Sequence, residues 1–129
     1  MLKIYFQADS RYKVDRKFVK TYLAKAWSEK SLPEGVLSLA IVGARKARQL
    51  AKEYLHDNQE HPILTFPYLK KVGRFPEENE DLVGEIVICY PQASLYAADQ
   101  DREINTVLSQ FIDHALAIMS SEFAKIPKP

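Results

Sequence analysis

Apolar and polar residues alternate through "LKIYFQA" at the start of the chain, and this period of two, with its β-branched and aromatic side chains, predicts a strand. The period then changes. From Asp15, whose carboxylate suits a helix N-cap, Phe18, Val19, Tyr22, Leu23, Ala26 and Trp27 recur at helical spacing, with Lys17, Lys20 and Lys25 turned to solvent. "SLPEG" breaks that helix, and "VLSLAIVG" is a nearly continuous apolar run that predicts a buried strand. A second helix follows. It places Ala47, Leu50, Ala51, Tyr54 and Leu55 on one side and Arg45, Lys46, Arg48 and Lys52 on the other, and ends near His56.

"HPILTFP" reads as a short strand between two prolines, which suits a sheet edge because proline has no N–H to donate. A charged loop is expected from Tyr68 to Leu82. "VGEIVICYP" has the pattern of a strand covered on both faces, and Pro91 opens a short helix through Ala93 and Ala97. The last helix is expected from about Asp101, with Glu103 in its first turn, and Ile104, Val107, Leu108, Phe111, Ile112, Ala115, Leu116 and Met119 form its apolar stripe. The order β-α-β-α-β-β-α-α predicts an α+β fold, a single domain in which a four-stranded mixed sheet packs against about four helices. We expect the domain to span residues 1–124 and residues 125–129, "KIPKP", to form a flexible tail.

Composition narrows the class without naming a function. The 129 residues, 47% apolar and 27% charged, suffice for one ordinary globular core. No signal sequence and no membrane-spanning run is expected. The single cysteine, Cys89, leaves no intrachain disulfide partner and no cysteine-based zinc site, which points to a cytoplasmic location. A net charge of +1 is far from the basic balance of a domain that holds nucleic acid by bulk charge, so any such role must rest on a local patch. The basic residues Arg45, Lys46, Arg48 and Lys52 are candidates for phosphate contact.

Three histidines are the other candidates for chemistry. His114 stands at the margin of the last helix's stripe, where a half-covered boundary histidine is the ordinary reading, since one helix position supplies one of the three protein ligands that a catalytic zinc needs. His56 and His61 flank the turn "LHDNQEH" and would have to converge with His114 to form a site. Cys89 lies inside an apolar strand with no histidine near it in sequence, as an inert buried thiol does.

Two stretches together say more than any single residue. "QLAKEYLHDNQEHPILTFPY" and "LVGEIVICYPQA" resemble the YbeY family of bacterial rRNA maturation factors, whose pattern runs roughly L-N-x-x-Y-R-x-x-D-x-x-T-D-V-L-S-F-P and then L-G-D-I-V-I-C. Leu50, Tyr54, Leu64, Phe66 and Pro67 keep their places in it. The resemblance implies a metal-dependent endoribonuclease whose three histidines, in H-G-x-L-H-L-x-G-Y-D-H, hold one metal described as zinc. In this register His114 takes the first histidine, while Ile118 and Ala124 stand at the second and third. The family's cleft arginine becomes Leu55, the aspartate before the strand becomes Pro62, and the G-D pair becomes Gly84-Glu85.

A leucine cannot grip phosphate as a guanidinium does, and an apolar Ile118 is free to join the core where an imidazole could not do so cheaply. The expectation is a YbeY-like factor that has lost its metal-hydrolase site, carries no cofactor, and acts by binding ribosomal RNA or a small-subunit ribosomal protein. Two alternatives stand beside it. One is an endoribonuclease with an altered site around His114, drawing on His56, His61, Glu85 or Asp113; the other is a protein-interaction module using exposed aromatics such as Tyr12, Tyr68 and Tyr96.

Overall fold

The computed structural model describes residues 2–67 and 82–125. Eight elements follow in the expected order: β1 (Lys3–Ala8), α1 (Arg16–Glu29), β2 (Val36–Val42), α2 (Ala44–Leu55), β3 (Ile63–Pro67), β4 (Leu82–Cys89), α3 (Tyr90–Asp99) and α4 (Ile104–Ala124). The strands form one sheet in the order β1-β2-β4-β3. β1, β2 and β4 run parallel, and β3 pairs antiparallel with β4, so the sheet is mixed and the proline-bounded strand lies at its edge. Tyr68 and the charged loop up to Asp81 lie outside the described residues, as do the last four residues of the expected tail.

Strand alternation sorts the side chains into two faces. Ile4 and Phe6 of β1, Leu37, Leu39 and Ile41 of β2, and Ile86 and Ile88 of β4 share one face with the buried residues of α1 and α4. Ala40, Val42, Val87, Leu64 and Phe66 form the opposite face, which α2 covers through Ala51 and Leu50. A register shift near Val36 and Leu37 leaves Val83 as the extra residue of a bulge, so Gly84 faces α4 in step with Ile86 while Val83 also joins the larger core. The large core therefore lies between the sheet and the α1–α4 pair.

Helix ends follow local chemistry. The Asp15 carboxylate accepts a hydrogen bond from the Phe18 N–H at 3.0 Å, as its N-cap pattern predicts. α2 ends at His56, which takes a left-handed conformation with φ of 57°. α4 starts at Ile104, the first residue of its apolar stripe and three residues later than the expected start near Asp101: Asp101 also takes positive φ, 52°, and Glu103 becomes the N-cap instead of a first-turn residue. No helix among the described residues is long and apolar enough to cross a membrane.

Candidate functional site

The histidine pattern, His114, Ile118 and Ala124, falls on α4. α4 is a continuous helix of 21 residues, Ile104–Ala124, and its buried stripe is centred near Leu108, Ala115 and Met119. His114 is exposed, about 115° from that centre by helix geometry. Ile118, one turn on, is 38% exposed and does not join the core, although its apolar side chain leaves it free to do so. The reason is angular: Ile118 stands about 80° from the stripe's centre, on the flank it shares with His114.

Continuity of α4 also decides whether a three-histidine metal centre fits. Ten residues separate His114 from Ala124, and on an unbroken helix that is a rise of about 15 Å. Zinc takes its imidazoles at about 2.0–2.1 Å, so positions 114 and 124 could not share an ion even if both were histidine. The turn that would fold such a segment back on itself is replaced here by "MSSEF", which stays helical. Among the described residues no three His, Cys, Asp or Glu side chains come together in a group able to hold a metal ion. The residues present do not fit the metal centre that the resemblance implies.

The remaining candidates lie apart from His114. Asp113 turns the other way around α4, toward α1, where both its carboxylate oxygens accept the Tyr22 hydroxyl at 2.8 Å. That hydrogen bond, with burial second, holds the Tyr22 phenol above its ordinary range, so Tyr22 is the proton donor of the pair. The two residues line an open groove of about 540 Å³ between α1 and α4, with Lys25, Glu29 and Lys30. Glu85 pairs across the sheet with Phe66 and Ser38 and shares their face, the one α2 covers, so the sheet itself separates it from α4. His61 is engaged with Asp57 at 3.0 Å, and its contact is the main cause holding the Asp57 carboxyl below its usual range. His56 is the exposed left-handed cap of α2.

The basic row on α2 divides as well. Arg48 is committed to Glu60 at 2.8 Å, and Glu60 also accepts a hydrogen bond from the Gln92 amide of α3 at 2.7 Å. Lys52 is a turn further on, whereas Arg45 and Lys46 occupy the first turn and make no ion pair among the described residues. Sequence reading missed one cluster, in which Arg11, Tyr12 and Tyr90 meet the start of α2. The signal that locates it is the parallel pairing of β1, β2 and β4, since loops after parallel strands gather at the strands' carboxyl ends.

Cys89 ends β4 as a free, buried thiol, and burial is the main cause pushing its pKa up. A raised thiol pKa means less thiolate at neutral pH than free cysteine has. We therefore expect native protein at pH 7.5 to react with Ellman's reagent far more slowly than the urea-unfolded chain, at one thiol per molecule. Equal native and unfolded rates would place Cys89 at the surface and undo this assignment.

Comparison with known proteins bears on this geometry. The endoribonuclease YbeY of Aromatoleum aromaticum is 25% identical over 95 residues, covering 73% of this chain and 56% of that protein. The endoribonuclease YbeY of an Azoarcus species is 24% identical over 98 residues, covering 75% of this chain and 39% of its own length. The chain thus spans about half the length, or less, of these curated relatives. A solution structure from Thermotoga maritima superposes with a TM-score of 0.59 at 15% identity, over 93% of this chain and 72% of that one, which shows a shared fold. Residues 5–117 match the family described as "Endoribonuclease YbeY", the span that runs from β1 through the His114 flank of α4, and so this chain belongs to the YbeY family.

Proposed function

We propose that this chain is an RNA-binding factor of rRNA maturation that works without the family's three-histidine metal centre. The observation that carries the reading is α4 itself: a helix unbroken through Ala124 that presents His114 with exposed Ile118 one turn away. One imidazole supplies a single ligand where a catalytic zinc needs three from the protein. Family membership supports ribosomal RNA as the partner, because relatives of this chain are endoribonucleases by name. The domain that binds is residues 1–124.

The test combines binding and cleavage on one substrate. Purified protein is mixed with a labelled precursor fragment of small-subunit rRNA, with and without added zinc or manganese, and followed by gel shift and by denaturing gel. We expect a shifted complex with intact RNA in every condition, and the same result for His114→Ala. Metal-dependent cleavage by the wild type that His114→Ala abolishes would overturn the proposal and establish the alternative, an endoribonuclease with an altered site.

A further inference from the structure

Three segments converge at the carboxyl ends of the parallel strands. Asp9 to Lys13 follow β1, Gly43 to Lys46 follow β2, and Tyr90 and Pro91 follow β4. The Tyr12 and Tyr90 rings stack with centroids 4.5 Å apart and an interplanar angle of 19°. The Arg11 guanidinium lies over the Tyr12 ring, 5.3 Å from its centroid. Asp9 holds that guanidinium from the side, accepting from Nη2 at 2.7 Å and from Nε at 3.1 Å. The contact with Gly43 is close: a Cβ there would come within 2.7 Å of Arg11 Nη2 and 3.0 Å of Tyr12 Oη. Glycine at the start of α2 lets the Arg11–Tyr12 loop lie against it.

Charge gathers at the same end. These segments and their immediate neighbours carry Arg11, Lys13, Arg16, Arg45, Lys46 and Arg48 against Asp9, Asp15 and Glu60. All three carboxylates are occupied: Asp9 by Arg11, Asp15 in capping α1, and Glu60 by Arg48 and Gln92. Lys13, Arg16, Arg45 and Lys46 are left outside any ion pair among the described residues. In a chain of net charge +1, this end is locally cationic. The first turn of α2 holds no acidic residue and two cations, an arrangement that the helix dipole disfavours and that an anion would relieve.

The geometry points to this end of the sheet as a seat for single-stranded RNA, with a base stacked on the outer face of the Arg11 guanidinium and the adjoining phosphates held by Lys13, Arg45 and Lys46. The inference rests on the RNA-binding reading above and locates the path on a different surface from the His114 flank. A guanidinium plane fixed by a carboxylate fork and backed by two tyrosines is a preformed stacking surface, and its side chain is 69% exposed. Stacking tolerates every base, and flanking cations supply the salt-dependent part of the affinity.

The experiment measures fluorescence anisotropy of labelled twelve-nucleotide oligouridylate and oligoadenylate between 50 and 200 mM salt. Arg45→Gln/Lys46→Gln is expected to weaken binding about tenfold and to lower the log–log salt slope by roughly 1.4, the value for two lost single-strand phosphate contacts. Lys25→Gln/Lys30→Gln makes the same charge change at the opposite end of α1, and should stay within about twofold of the wild type. Arg11→Lys keeps the charge but loses the plane, and should weaken binding severalfold. Circular dichroism and melting of each variant confirm the fold. Wild-type binding that survives both Arg45→Gln/Lys46→Gln and Arg11→Lys would overturn this path and leave the RNA-binding reading intact. Tripolyphosphate competing as well as the oligonucleotide would overturn the stacking role of Arg11. Absence of binding to any RNA, the rRNA fragment included, would bring down both.

Discussion

Replacing Trp27 by alanine is expected to cost about 3–5 kcal/mol of stability, the range for truncating a large buried aromatic. Native domains of this size hold only roughly 5–15 kcal/mol in total, so the variant should lie near the edge of folding at 37 °C. Trp27 is 2% exposed and sits in the last turn of α1. Its Nε1 donates to the Pro33 carbonyl at 2.9 Å, and its ring meets Phe123 of α4 edge-on, with centroids 6.4 Å apart. One side chain thereby joins α1, the link into β2 and the end of α4. Urea denaturation followed by circular dichroism at 222 nm provides the check, because the chain's only tryptophan fluorescence is lost with the residue. Trp27→Phe separates the contributions: it retains a ring for Phe123 and loses the hydrogen bond, so it should cost less than half as much. A loss under about 1 kcal/mol for the alanine variant would show that the site collapses or that Trp27 is not the packing centre described.

That the fold was legible and the site was not follows from what each depends on. Element type is written in local period, and Leu23, Trp27, Leu37, Leu39, Ile41, Ile86, Ile88, Leu108, Ile112 and Leu116 are buried where their spacing places them. Prolines 62 and 67 marked β3 as an edge strand for a reason that needs no tertiary knowledge. Strand order is another matter. β4 inserts between β2 and β3, and no local pattern says so, because pairing partners are chosen by long-range packing. That order decides that β2 and β4 are parallel neighbours, and hence that Arg11, Tyr12, Gly43 and Tyr90 meet. Tyr12 was visible as an aromatic, but its stacking partner lies 78 positions away.

The α4 flank shows the same division. Sequence spacing correctly placed His114 and Ile118 one turn apart, yet the fate of Ile118 turned on how wide a stripe the sheet and α1 can cover. Ile118 stands beyond that stripe, on the flank it shares with His114, and stays partly exposed. Glu85 illustrates the other failure. It stands next to Gly84 in sequence, but the two point to opposite faces of β4, and a one-residue offset in a strand moves a candidate acid from the α4 side to the α2 side.

Gly84 provides the other large expected effect, and it tests the packing of α4 on the sheet directly. Gly84 is buried, and a Cβ built there would fall inside the van der Waals envelope of Met119 Cε, with the Phe66 carbonyl oxygen at 3.2 Å and the Pro67 Cα at 3.6 Å. Its φ is not positive, since Gly35 alone among the described glycines has that conformation, so any penalty at Gly84 is steric rather than conformational. Gly84→Ala should therefore lose about 1–3 kcal/mol by overpacking, and Gly84→Val more. Met119, fully buried, should lose roughly 2–5 kcal/mol on truncation to alanine. The decisive measurement is the double variant. Removing the Met119 side chain vacates the space that the new methyl needs, so Gly84→Ala should become nearly neutral in the Met119→Ala background, with a coupling of about 1–3 kcal/mol in equilibrium urea unfolding. The Phe66 oxygen sets the residual cost, because β3 backbone held in the sheet cannot withdraw as a methionine can. Additivity within about 0.5 kcal/mol would mean that the glycine is not required by α4, and the close approach of α4 to β4 would have to be redrawn. The glycine of the "LVGEIVIC" stretch is thus explained by contact with a helix rather than by a turn: the sheet gives up one side chain so that α4 can seat against it, and that seating fixes which flank of α4, His114 and Ile118 included, is left facing outward.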